Sequence, residues 1–145
     1  MKTVKTMLLI AIIVPVILSC NAKSAENKED NKATETTITK QINVYYFHFT
    51  RRCATCNAVE EKTIEFLKEL YPEKMEGKEI VFQSLNLDEA DAKEVAEKIG
   101  VSGQALVFIK GDEKIDLTSD GFMYARSNPE KLKEKIKETI TNLML

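Results

Sequence analysis

The chain has 145 residues, enough for one domain with its own core, and its 30% charged and 43% hydrophobic residues are ordinary for a soluble globular protein. Lys2 and Lys5 are the only charges in the first 19 residues, so the rest of a chain with net charge −2 is mildly acidic. That balance leaves no electrostatic footprint for nucleic acid, which excludes that class of partner.

Met1 to Lys5 is a short positive region, and Met7 to Leu18 is apolar apart from Pro15. The apolar run is too short for a comfortable membrane span of about 20 residues and suits a signal peptide. It ends Ile17-Leu18-Ser19-Cys20. This resembles the lipobox of bacterial lipoproteins, which implies cleavage after residue 19 and a lipid on Cys20. The domain is then held at the bacterial cell envelope, on its extracytoplasmic side, with the membrane reached through the lipid. An ordinary cleaved signal with a chance cysteine and a retained membrane helix are the alternatives. Residues 20–40 hold one large apolar side chain, Ile38, and cannot bury enough to offset ordering, so a disordered tether is expected.

The folded domain is expected over residues 41–145. Gln41 to Phe49 is β-branched and aromatic on both alternating faces, as in a central strand buried on two sides. Cys53 to Tyr71 has helical spacing through Cys56, Val59, Ile64, Leu67, Leu70 and Tyr71, and Pro72 stops it. Glu79 to Leu87 reads as a second strand. Glu89 to Ile99 reads as a helix with Ala92, Val95, Ala96 and Ile99 on one face and Gly100 as its cap. Ala105 to Lys110 is a strand, Gly111-Asp112 a turn, and Lys114 to Thr118 its hairpin partner. Asn128 caps a last helix with Pro129 in its first turn and Leu132, Ile136, Ile140 and Leu143 as its stripe. The order β-α-β-α-β-β-α predicts an α/β domain: a parallel crossover followed by an antiparallel hairpin, in a four-stranded mixed sheet with flanking helices.

Between the first strand and the first helix lies Arg51-Arg52-Cys53-Ala54-Thr55-Cys56. A cysteine at a helix N-terminus meets unpaired N–H groups and the positive end of the helix dipole, which favour its reactive thiolate. Arg51 and Arg52 add positive charge beside Cys53. Cys56 is one turn on and can close a disulfide with it. Cys53 is thus the candidate nucleophile toward a disulfide in a client or redox partner protein, and Cys56 the resolving thiol. The redox-active group is this pair itself; no other cofactor and no resident metal is indicated. A structural disulfide and a dithiol clip for a metal or arsenical are the rivals. Two thiolates and His48, the one histidine, give three ligands where a closed zinc site wants four. His48 reads as a core or edge residue before a catalytic base, and Glu60 as a surface carboxylate before a proton acceptor for Cys56. Tyr45, Tyr46 and Phe47 read as core.

The element order with Cys-x-x-Cys after the first strand resembles a thioredoxin-like domain. Leu85-Asn86-Leu87-Asp88 and Ile99-Gly100-Val101-Ser102-Gly103 resemble the stretches that follow the active-site helix in that family. The resemblance implies thiol–disulfide exchange or electron relay. Three departures qualify it. The family's cis-proline before the third strand falls here on Gln104 or Ala105, its buried acid on Phe47, and its aromatic before the first cysteine on Arg52. The missing proline implies the alternative of a non-catalytic module whose dithiol captures a metal or arsenical or docks a partner reductase. Residues Tyr45 to Cys53 with Cys56 also resemble a small exported family, a nitrophenyl-compound nitroreductase subunit found with arsenic-resistance systems. That likeness implies a redox subunit beside a larger enzyme.

Overall fold

The computed structural model describes residues 40–145. The expected signal peptide, Cys20 and the tether through residue 39 lie outside the described residues. Among the described residues no helix is long and apolar enough to cross a membrane.

The first strand, β1 (Ile42–His48), lies inside the sheet, as its two apolar faces require. It pairs in parallel with β2 (Ile80–Asn86), from Ile42 opposite Ile80 to His48 opposite Asn86. On its other side it pairs antiparallel with β3 (Ala105–Lys110), which carries β4 (Glu113–Asp116) at the edge. The sheet order is β2-β1-β3-β4. The helices are α1 (Ala54–Leu70), α2 (Pro72–Glu76), α3 (Ala90–Lys98), α4 (Thr118–Tyr124) and α5 (Pro129–Met144).

Alternation along β1 divides the core in two. Ile42, Val44 and Tyr46 face a large cluster with Ile80, Leu106 and Phe108. There they meet Val59, Phe66 and Leu67 of α1 and the whole predicted stripe of α5. Phe47 faces the opposite cluster with Leu87, Ala105, Val107 and Ala96 of α3. Each large side chain taken from water here contributes about 1.5–3 kcal/mol. The site's helix therefore packs into the same core as the sheet and α5, and β1 cannot shift register without turning its aromatic residues to the wrong face.

Two expectations need correction. Pro72 does end α1 at Leu70, but it also opens α2, where its fixed φ suits the first position. The hairpin partner of β3 stops at Asp116, and Thr118 begins a helix that periodicity did not reveal. The Asp116 carboxylate accepts from the Thr118 N–H at 2.8 Å, and the Thr118 hydroxyl accepts from the Leu106 N–H at 3.0 Å. These bonds turn the chain out of the sheet. The buried positions of α4 and its flanks are Leu117, Gly121 and Ala125. A glycine hides the stripe because an apolar pattern cannot register it. A β-carbon at Gly121 would stand 3.2 Å from Val59 Cγ1 and 3.4 Å from Leu106 Cδ2, so the close approach of α4 to α1 needs the small residue.

Gly100 does what its cap position predicts. At φ 68° it lets Val101 N–H reach Ala96 O at 2.8 Å and Gly100 N–H reach Glu97 O at 3.1 Å. The chain then runs through residues 101–104 into β3, a path that matters below.

Candidate functional site

Cys53 is the N-cap of α1, with extended backbone. Its sulfur accepts from the Cys56 N–H at 3.1 Å, and its carbonyl accepts the first helical bond from Asn57 N–H at 3.1 Å. No acidic residue sits in the first turn of α1, so nothing there cancels the positive end of the helix. Cys53 and Cys56 form a disulfide with Cα atoms 5.0 Å apart. The two sulfurs are unequal. Cys53 is exposed, whereas Cys56 is only 4% exposed. An incoming thiolate can reach the first and not the second.

The arginines part company. Arg51 is exposed, and among the described residues no ion pair holds it. Arg52 is half-buried and folds across the first turn of α1. Its Nη1 pairs with the Glu60 carboxylate, its Nη2 donates to the Cys56 carbonyl at 3.2 Å, and its guanidinium lies 5.5 Å from the centre of the Tyr46 ring. The charge expected beside Cys53 is thus shared with a carboxylate. Glu60 in turn is held below its usual range. Burial pushes its carboxyl up, but hydrogen bonds from Ser84 and Arg52 and the charges of Arg52 and His48 outweigh that.

Tyr46 is core, as read, and also has a polar task. Its hydroxyl donates to the Cys56 carbonyl at 2.9 Å in a buried contact. Burial raises the phenol above its ordinary range, although hydrogen bonding and charge from Arg52 oppose this. His48 is half-buried and stacks on Tyr46 at 5.9 Å, with Nδ1 3.0 Å from the Phe49 carbonyl. Its ring makes no hydrogen bond to either sulfur among the described contacts.

Two contributors were not given a role by the sequence. The first is the pair Asn86 and Asp88 at the end of β2. Thr50 N–H donates to Asp88 Oδ2 at 2.8 Å, Asn86 Nδ2 donates to Thr50 Oγ1 at 3.0 Å, and Asp88 N–H donates to Asn86 Oδ1 at 3.1 Å. Thr50 holds the Asp88 carboxyl below its usual range, chiefly through the backbone N–H. This network ties the loop before Cys53 to the adjoining parallel strand. The second is Gln104, whose Nε2 stands 3.6 Å from Cys56 Sγ. With Ala105 it is one of the two positions on which the family's proline falls. Phe47, where the resemblance calls for an acid, is fully buried among apolar side chains.

Beside the loop an open apolar groove of about 310 Å³ is lined by Phe49, Leu87, Ala96 and Val101. Among the described residues no three His, Cys, Asp or Glu side chains gather as a metal site.

The strand order β2-β1-β3-β4, helices on both faces and a Cys-x-x-Cys disulfide at the mouth of α1 define a thioredoxin-like α/β domain. Among the solved structures similar to this chain are the following. Thioredoxin O2 of Arabidopsis thaliana in its oxidised state is 18% identical, with 74% of this chain and 86% of that chain covered, at a TM-score of 0.49. A thioredoxin of Fasciola hepatica is 23% identical over 74% of this chain and 88% of its own, at a TM-score of 0.46. Trxlp of Edwardsiella tarda is 13% identical over 74% and 92%, at a TM-score of 0.49. No protein-family model matches the sequence, and no curated protein matches it.

Proposed function

We propose that this protein is a thiol–disulfide oxidoreductase or electron relay, held on the extracytoplasmic side of a bacterial membrane by a lipid on Cys20. The observation that carries the reading is the asymmetry of the disulfide: an exposed Cys53 at an uncancelled helix N-terminus, joined to a Cys56 that is only 4% exposed. In the reduced state Cys53 thiolate attacks a client disulfide. One client sulfur bonds to Cys53 and the other leaves as thiolate. Cys56 then displaces the first client sulfur, and the electron pair of the dithiol has passed to the client. The partner is a protein disulfide, or a larger reductase that exchanges electrons with the pair, as the resemblance to a nitroreductase subunit suggests.

The test is reduction of insulin by dithiothreitol. Wild type is expected to accelerate it and Cys53→Ser to give only the uncatalysed rate; equal rates from the two count against general exchange. The anchor has its own check. Radiolabelled palmitate is expected in the wild-type protein and not in Cys20→Ser, and label in both removes Cys20 from the proposal.

A second reading, a dithiol that captures a metal or arsenical, draws on Gln104-Ala105 at the place of the family's proline. Alkylation separates the two. Fast reaction of Cys53 at pH 6 supports exchange, and the slow reaction of a thiol with a pKa of about 8.5 supports capture.

A further inference from the structure

Cys56 has to lose a proton before it can resolve a mixed disulfide, and no carboxylate is placed to take it. Glu60, one turn on, is engaged by Arg52 and Ser84. Among the described residues the one side-chain hydrogen bond to Cys56 Sγ comes from Gln104, which reaches it from the loop before β3. Neither sulfur of a disulfide carries a proton, so this contact exists only with the amide N–H as donor. A primary amide has a second capability. Turning about its terminal torsion, which is broad and nearly two-fold, presents the carbonyl instead. One side chain can therefore pair with the sulfur as acceptor or as donor.

We propose that Gln104 governs the resolving step: its amide donates N–H to the Cys56 sulfur as disulfide and as thiolate, and turns to accept S–H when that sulfur is a thiol. The proposal rests on the exchange reading above. In the step itself Cys56 gives its proton to solvent base and forms a bond to Cys53 Sγ. The Cys53–client bond breaks, and the client sulfur leaves with the electron pair. The donated N–H favours the thiolate that attacks.

Other charged and titratable groups surround Cys56. From β1 and its loop come Tyr46, His48 and Arg52; from α1, Cys53 and Glu60. Lys114 and Asp116 line the polar groove beside Gln104. Arg52 and Glu60 oppose each other in charge. Gln104 is the neutral member, so replacing it changes hydrogen bonding without changing charge.

The test uses the reduced protein and 5,5′-dithiobis(2-nitrobenzoate), an aromatic disulfide that serves as oxidant. Cys53 attacks it and releases one yellow thiolate; Cys56 then closes the protein disulfide and releases a second. The first release reports the exchange reading and the second reports this proposal. Gln104→Met keeps the bulk and removes the donor. Its first release is expected to match wild type. Its second release is expected to have a pH midpoint about one unit higher. Below that midpoint the thiolate fraction falls about tenfold, and the greater nucleophilicity of a more basic sulfur returns about threefold, leaving the step about threefold slower. Above both midpoints the variant is no slower than wild type, a crossover that a packing defect does not produce. Gln104→Glu is the second variant, for use where methionine disturbs folding. Its ionised carboxylate donates nothing and repels the thiolate, so the midpoint rises further. A wild-type midpoint in either folded variant overturns the proposal. A first release in wild type no faster than that of a free thiol overturns the exchange reading instead.

Discussion

The stretch from Ile42 to Asn86 holds Tyr46, His48, Thr50, Arg52, both cysteines, Glu60 and Ser84, joined by hydrogen bonds, stacking and one ion pair. The stretch from Ala105 to Met144 gives the same core Leu106, Phe108, Leu132, Ile136 and Ile140, all fully buried. The first region gathers polar groups where β1 and β2 run out together and α1 begins. The second presses apolar side chains on the other side of that helix. The contrast teaches that the core is shared by both stretches, whereas the polar groups around the disulfide come largely from the first. A change in the second stretch should move stability and spare the reactivity of Cys53, whereas a change among the polar groups of the first can move both.

The largest effect is expected from the apolar half. Ile136→Ala removes a fully buried side chain beneath α1, and about 2–5 kcal/mol of stability should go with it. Denaturant unfolding measures the loss. Alkylation of Cys53 in the folded variant should keep the wild-type rate, and a changed rate breaks the division.

Glu60→Gln probes the polar half. It leaves the Arg52 charge uncancelled near Cys53. A partly solvated unit charge on the neighbouring residue is worth about 1 kcal/mol, or roughly fivefold in thiolate population. Faster alkylation of Cys53 near neutrality is the expected outcome, and an unchanged rate means Arg52 does not act on Cys53. The same substitution has a pH signature. A carboxyl held below its ordinary range stabilises the fold fully above that range and loses the contribution as pH falls through the lowered value. Wild type should therefore lose stability in acid faster than Glu60→Gln. Equal acid sensitivity contradicts the ion pair.

Tyr46→Phe is the mildest of the three. It deletes one buried hydrogen bond to the Cys56 carbonyl while the ring keeps its packing, a loss of about 1 kcal/mol in thermal or denaturant unfolding. A loss above 3 kcal/mol shows the hydroxyl to be structural beyond this single bond.

Residue spacing made the frame readable. β1, β3 and α5 stand within a residue or so of their expected bounds because the two strands are continuous β-branched and aromatic runs and the apolar positions of α5 repeat at the helical period. Helix α4 escaped because Gly121 occupies the middle of its buried stripe. The disulfide was legible because its partners are three residues apart. The rest of the site was less so, since its contacts join residues distant in sequence. Thr50 and Asp88 are 38 residues apart, and Gln104 and Cys56 are 48. Spacing gives no warning of such meetings. Arg52 was readable as a charge near Cys53, but its direction was set by Tyr46 and Glu60, which the fold brings to it.

The Cys56 carbonyl receives both the Tyr46 hydroxyl and an Arg52 N–H, and neither donor involves sulfur. Neither tether depends on the bridge. Opening the bond between Cys53 and Cys56 removes neither contact, so the first turn of α1 is expected to stay fastened to Tyr46 and Arg52. Opening the bridge then resembles lifting a latch from a door that remains on its hinges, with no helix to refold.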